Sequence, residues 1–255
     1  AAKLEATPPA PERGGRVMAD PGFVPVRRSP RSTVVPDFDR DGFARVRGAI
    51  EAGARPVPAS VQIEDLLNHF AYAYREPAGA APVAADLEVA SAPWNPNHRL
   101  IRIGLRARGE AGPLDQPAAL VARDARIQVD FNPARVDSYR LIGYERSLAG
   151  LPDAGGADLT AGQTVTALYE AVLVDALAEP GATTETNLFT LSIGYRLPEG
   201  GVEQRLDASL VDGGAEFAAA SSDFKFAAAV AGFGLILRAS PDTGLATYDQ
   251  VIGWA

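Results

Sequence analysis

The sequence predicts an α+β fold: an antiparallel β-sandwich-like core with N-terminal helices and a buried C-terminal helix. Three observations carry this reading. Apolar residues at helical spacing are confined to the two ends of the ordered chain. Between them the period changes to two, with turn signals separating the runs. Near the C-terminus one segment is apolar on nearly every side, which marks a helix buried between other elements.

Taken in order, residues 1–35 read as an extended, weakly ordered arm. Pro8, Pro9, Pro11, Pro21, Pro25 and Pro30 forbid a long helix, and Arg13, Arg16, Arg27, Arg28 and Arg31 gather there with Pro, Gly and Ser between them. Order is expected from about Asp37. Phe43, Val46 and Ile50 make a helical stripe across Arg40–Ala52, with Gly53 as its stop. A second helix is expected from an N-cap at Ser60, carrying Ile63, Leu66, Leu67 and Phe70 on one face and ending before Pro77. A small-residue linker, Ala78–Ala85, follows. Ile101, Ile103 and Leu105 then alternate with Arg102 and Arg106, so the first strand should bury one face. Ile127, Val129 and Phe131 repeat the pattern, and further strands are expected at Tyr139–Glu145, Thr164–Val174 and Leu188–Leu197. Pro198-Glu199-Gly200-Gly201 reads as a hairpin turn into Val202–Val211. Ser222 is a candidate cap for a helix from Asp223 to Arg238; Pro241 interrupts, and a last helix starts near Tyr248.

Composition narrows the function classes. A formal charge of −8 argues against nucleic acid, whose backbone is held by clustered Lys and Arg. With no cysteine there is neither a disulfide framework nor a thiolate site. The longest apolar run, Phe226 to Leu237, is shorter than the roughly 20 residues a bilayer-spanning helix needs, so no transmembrane segment is expected. The chain begins at Ala1 and has one methionine, Met18. That fits a mature protein freed of a signal peptide, or a piece of a longer chain.

Catalytic patterns are scarce. The two histidines, His69 in a predicted helix and His98 before a strand, read as structural or surface residues rather than as bases or zinc ligands. Gly155-Gly156, Gly200-Gly201 and Gly213-Gly214 lack the Lys-Ser/Thr of a phosphate loop and read as turns. The one acidic cluster, Asp37-Phe38-Asp39-Arg40-Asp41-Gly42, opens like a calcium loop, and Asp37, Asp39 and Asp41 are the candidate metal ligands. The twelfth position is Gly48 where a bidentate Glu belongs; the alternative is that these acids favour the start of the first helix. No pair among the remaining acids stands out for glycoside chemistry.

Several segments, in this order, resemble bacterial YfbK-type proteins that contain a von Willebrand factor type A domain. They include Asp37-Phe38-Asp39, Ile63-Glu64-Asp65-Leu66-Leu67-Asn68-His69-Phe70, Pro93-Trp94-Asn95-Pro96-Asn97-His98-Arg99-Leu100 and Ile127-Gln128-Val129-Asp130-Phe131-Asn132-Pro133. Tyr139-Arg140-Leu141-Ile142-Gly143-Tyr144-Glu145, Gly162-Gln163-Thr164-Val165-Thr166-Ala167 and Asp223-Phe224-Lys225-Phe226-Ala227-Ala228 continue it, so the match spans residues 33–252. The resemblance implies an A domain between the strand at Trp94–Leu105 and the strand at Ile127–Phe131. Here only residues 106–126 bridge them, and the D-x-S-x-S metal-adhesion motif is missing: Asp207-Ala208-Ser209-Leu210-Val211 lacks the second serine. The chain therefore reads as the family's two flanks, residues 36–255, joined as a single domain without the insert.

The expectation is a non-enzymatic, extracytoplasmic interaction or scaffolding domain, periplasmic or in the cell envelope, without cofactor. Its partners would be proteins, such as a membrane-bound complex engaged through the N-terminal arm. The alternative is a calcium-dependent binding module using Asp37, Asp39 and Asp41. An enzyme assembled from distant acids is a third reading, which a polar pocket with two facing carboxylates would support.

Overall fold

The computed structural model describes residues 22–110, 118–145, 155–174 and 186–255. Among the described residues ten strands and four helices build three layers. In chain order they are β1 (Val24–Pro25), β2 (Arg31–Val34), α1 (Gly42–Glu51), α2 (Ile63–Leu67), β3 (Val83–Ala92), β4 (Asn95–Ala107), β5 (Leu120–Phe131), β6 (Val136–Ile142), β7 (Ala157–Thr160), β8 (Thr164–Leu173), β9 (Asn187–Arg196), β10 (Gln204–Val211), α3 (Ser222–Arg238) and α4 (Tyr248–Trp254). The first sheet runs β1-β6-β8-β4-β3 and the second β10-β9-β5-β2, with β7 also paired to β5. Every described strand pair is antiparallel.

Alternation along the strands makes the sandwich core. Ile101, Ile103, Leu141 and Tyr169 of the first sheet meet Ile127, Val129, Phe131, Phe189, Leu191 and Ile193 of the second. Phe131 stacks on Tyr139 with ring centroids 4.1 Å apart, and the Tyr169 hydroxyl donates to Ser32 Oγ at 2.9 Å, tying β8 to β2 across the layers.

The first sheet is buried on its other face too. Leu100, Ile142 and Leu168 pack there against Ile63 and Leu67 of α2 and Phe224, Ala227, Ala231 and Leu235 of α3. This corrects the expectation that β4 buries one face. Arg102 is only 4% exposed. Its guanidinium donates to Glu88 Oε2 at 2.7 Å and lies 5.0 Å from the centre of the Tyr74 ring. An arginine can sit in a covered layer when its charge is paired and its plane stacked. Gly104, next on that face, leaves the room that Tyr74 fills: a Cβ there would lie 2.4 Å from the ring.

Other boundaries differ from the sequence reading. The arm does not stay outside the fold over its described part: β1 pairs with β6 and β2 with β5, and Val26 and Val34 are fully buried. Pro25 is compatible with a strand because β1 is an edge, where a missing N–H costs no ladder bond. Residues 1–21 of the predicted arm lie outside the described residues. Ser60 ends a short 3-10 turn instead of capping α2, and α2 stops at Leu67 rather than near Pro77. Asn68 ends it: its amide donates to Glu64 O and Tyr144 Oη and accepts from Thr166 N, bridging the helix to β8. β3 and β7 went unforeseen, since Val83–Ala92 is rich in small residues and Ala157–Thr160 is short. The long helix is capped by Ser221, not Ser222, with its Oγ accepting from Phe224 N at 3.1 Å.

Segments before and after the expected junction interleave in both sheets: β1 lies on β6, β2 on β5 and β4 on β8. The connection is shorter than 106–126, because β4 continues to Ala107 and β5 starts at Leu120. The β7–β8 turn holds its two ends. Ala161 N donates to Ala119 O, Gly162 N to Arg108 O, and Ala107 N to Gln163 O, at 2.8, 3.2 and 2.9 Å.

Candidate protein interface

The helical layer is where the structure leaves apolar chemistry half covered. One face of α3 seats Phe224, Ala227, Ala231 and Leu235 on the first sheet, and the other carries Phe226, Val230 and Phe233 outward. Two glycines let the neighbours in. A Cβ at Gly232 would lie 2.9 Å from the Trp254 ring of α4, and one at Gly234 2.9 Å from Ile63 of α2. Together α1, α2, α3 and α4 wall a cavity of about 190 Å³ lined by Phe43, Leu66, Phe70, Phe226, Val230 and Phe233.

Its rim is aromatic. Phe43 stacks on His69 with ring centroids 4.0 Å apart, and Phe70 meets Phe226 edge-on at 4.9 Å. His69 is thus an exposed ring on the groove's edge. Ile252 of α4 is 73% exposed beside it, and Ile50 and Tyr248 are exposed on a second hollow that shares Phe233. The groove can bury apolar side chains; it offers almost no hydrogen-bonding group.

The predicted acids do not converge. Asp39 Oδ1 accepts from Asp41 N at 2.9 Å and its Oδ2 is held by Arg45 at 2.8 Å, while Asp39 N donates to Asp65 Oδ1. Asp37 instead lines a polar cleft of about 470 Å³ with Arg40, Asp158 and Gln163. Asp41 precedes α1 without a side-chain capping bond. Among the described residues no group of three or more His, Asp or Glu side chains could hold a metal ion. Of the three acids expected to open a calcium loop, Asp37, Asp39 and Asp41, the one at the centre of the motif turns its carboxylate to Arg45.

His98 belongs to a buried charge cluster that the sequence did not reveal. Its Nδ1 is 2.5 Å from Glu170 Oε1. Glu170 Oε2 accepts from Trp94 Nε1 at 2.9 Å and from Arg140 Nε and Nη2 at 2.9 and 2.6 Å. Arg140 and Glu170 are each 2% exposed, and Phe23 covers the guanidinium at 5.5 Å. Both carboxylate oxygens are engaged, so the group ties β4, β6 and β8 together. A second buried set lies under α2. Burial pushes the Glu64 carboxyl up to about 7, assisted by the charge of Glu145 and opposed by the Tyr144 backbone. Glu145 pairs with Arg238 in the last turn of α3.

A family model described as "Uncharacterized protein YfbK, C-terminal" matches residues 118–255, more than half of the chain. The chain belongs to the YfbK family. A second model, described as "von Willebrand factor", matches residues 16–102. The two matches flank the connection between β4 and β5, where the resemblance placed the missing insert. The "Uncharacterized protein YfbK" of Escherichia coli (strain K12) is 34% identical over 156 residues, covering 53% of this chain and 26% of that protein. This YfbK-family chain therefore spans about a quarter of that relative's length. No solved structure matches it. Among the described residues, no helix is long and apolar enough to cross a membrane.

Proposed function

We propose that this chain is a non-enzymatic, extracytoplasmic interaction domain that docks the apolar side of a partner's helix in the groove between α1, α2, α3 and α4. The observation that carries the reading is the groove itself, whose walls are four phenylalanines with Leu66 and Val230. Exposed apolar surface of this kind, continued by Ile252 and Tyr248, marks association sites on soluble domains. A helix is the fitting occupant because the walls are helices, whose side-chain ridges interdigitate with those of another helix. The family relationship and the scarcity of catalytic patterns support the same reading, and the scaffold needs no cofactor for it.

The test is a photo-crosslinking residue introduced at Ile252, with one at Val202 as control, in cells of the native source. Val202 is 83% exposed on the β9–β10 turn of the second sheet. Position 252 is expected to couple to one polypeptide through an amphipathic segment, in the periplasmic or envelope fraction, while position 202 does not. Equal labelling from both positions, or none from 252, overturns the groove.

A further inference from the structure

The outer face of the second sheet, which no other described element covers, carries a different surface. The register between β5 and β9 shifts between Arg123 and Arg126, and that between β5 and β7 shifts between Ala122 and Ala125. Asp124, inside the irregularity, has φ of 53°. In a regular strand residues three apart point to opposite faces. A bulge re-aims side chains, and this one turns both arginines outward. Arg123 lies opposite Arg196 and Arg126 opposite Gly194; on β9 the residues flanking Gly194, Ile193 and Tyr195, point into the core.

Cross-strand neighbours stand about 5 Å apart, and like charges directly opposite each other destabilise a sheet. Arg123, Arg126 and Arg196 are exposed, and among the described residues none of their guanidinium groups makes a hydrogen bond or ion pair. Three uncompensated cations on one face of a chain with charge −8 serve no evident stabilising purpose. Gly194 leaves a bare floor between Arg126 and Arg205, the latter already held by Asp207. Over that floor lies a carboxylate of the chain itself: Glu203 Oε1 is 2.6 Å from where a Cβ on residue 194 would sit.

We infer that the Arg123–Arg126–Arg196 face, floored by Gly194, binds an acidic segment of a protein partner, whose carboxylates pair with guanidinium groups that no described residue engages. Guanidinium groups match carboxylates in paired, planar hydrogen bonds. Glu203 lies over the floor without pairing to these arginines, so it adds negative charge beside the site rather than filling it. Three arginines around one floor do not make the long basic track of a nucleic-acid surface. Asp124 and Asp158, where Asp124 N donates to Asp158 Oδ1 at 3.4 Å, bound the patch on the β7 side. This surface is independent of the apolar groove.

The experiment titrates hexaglutamate onto the whole chain at low salt by calorimetry, beside inorganic phosphate and hexathymidylate. The proteins are the natural chain, R126Q/R196Q, E203Q and I252D. Binding is expected to weaken by up to about fivefold per arginine removed, the scale of one exposed ion pair, and to fade with salt. E203Q should bind the peptide more tightly, and I252D should bind it unchanged even if it has lost groove docking. Because the arginines repel one another, the double variant should melt no lower than the natural chain. Equal affinity in R126Q/R196Q, or no binding by either the natural chain or E203Q, overturns the proposal. So does tighter binding of hexathymidylate, or phosphate displacing the peptide at equal concentration.

Discussion

The two sheets of the sandwich use the same residue types to different ends. The second sheet has one face in the core and one in water, and its charges sit on the wet side, as in the Arg31–Asp130 pair. The first sheet is covered on both faces, yet it also carries charges: Arg102, Arg140 and Glu170 are inside the helical layer, each paired. The difference teaches that a charge in a strand reports its partner as much as its exposure. On the second sheet a lost partner is replaced by water. On the first it is not, and the remaining ion keeps the desolvation cost.

Matched substitutions sharpen this contrast. The largest effect is expected for E170Q, which keeps the shape but leaves Arg140 facing a neutral group; stability should fall by about 3 kcal/mol in urea unfolding. A change below about 1 kcal/mol would break the comparison. Next is E64Q. The folded-state value of Glu64, about 7, lies above its ordinary 4.5, so the folded chain holds an extra proton between those values. Its contribution is fully present below pH 4.5 and lost as pH rises through 7, amounting to about 3 kcal/mol at about 1.4 kcal/mol per unit. The natural chain should lose stability across that window while E64Q stays flat, so the two curves part toward pH 8. S221A, which removes the cap of α3, should cost about 1 kcal/mol by thermal melting. On the wet sheet, D130A should stay within about 1 kcal/mol of the natural chain. Millimolar calcium should shift the melting temperature least of all, since Asp39 is already held by Arg45.

The same contrast explains what the sequence made legible. On β9 of the second sheet Phe189, Leu191, Ile193 and Tyr195 are buried as their period predicts. The first sheet breaks the rule at Arg102, because a helix layer and the Glu88 carboxylate cannot be seen from β4 alone. β2 was hidden by the prolines around it, whose effect is local, whereas its burial comes from β5 nearly 100 residues later. The groove was half legible: the stripes of α1 and α2 and the all-round apolar α3 can be read from sequence, but which face of α3 remains uncovered depends on how four helices meet. The arginine face had no local signal, since Arg196 is remote in sequence and only a bulge aligns Arg123 with Arg126.

The β7–β8 turn, which receives both ends of the connection between β4 and β5, has a consequence for how this architecture varies. With Arg108 and Ala119 bonded to adjacent residues of one turn, the exit and the return of the chain are fixed by the frame and not by what lies between them. Closing a loop whose ends are already held grows only logarithmically harder with its length, by about 0.6 kcal/mol for each doubling. Lengthening or shortening that passage is then nearly neutral for the two sheets, which turns one connection into a port where sequence can be gained or lost while the sandwich around it keeps its shape.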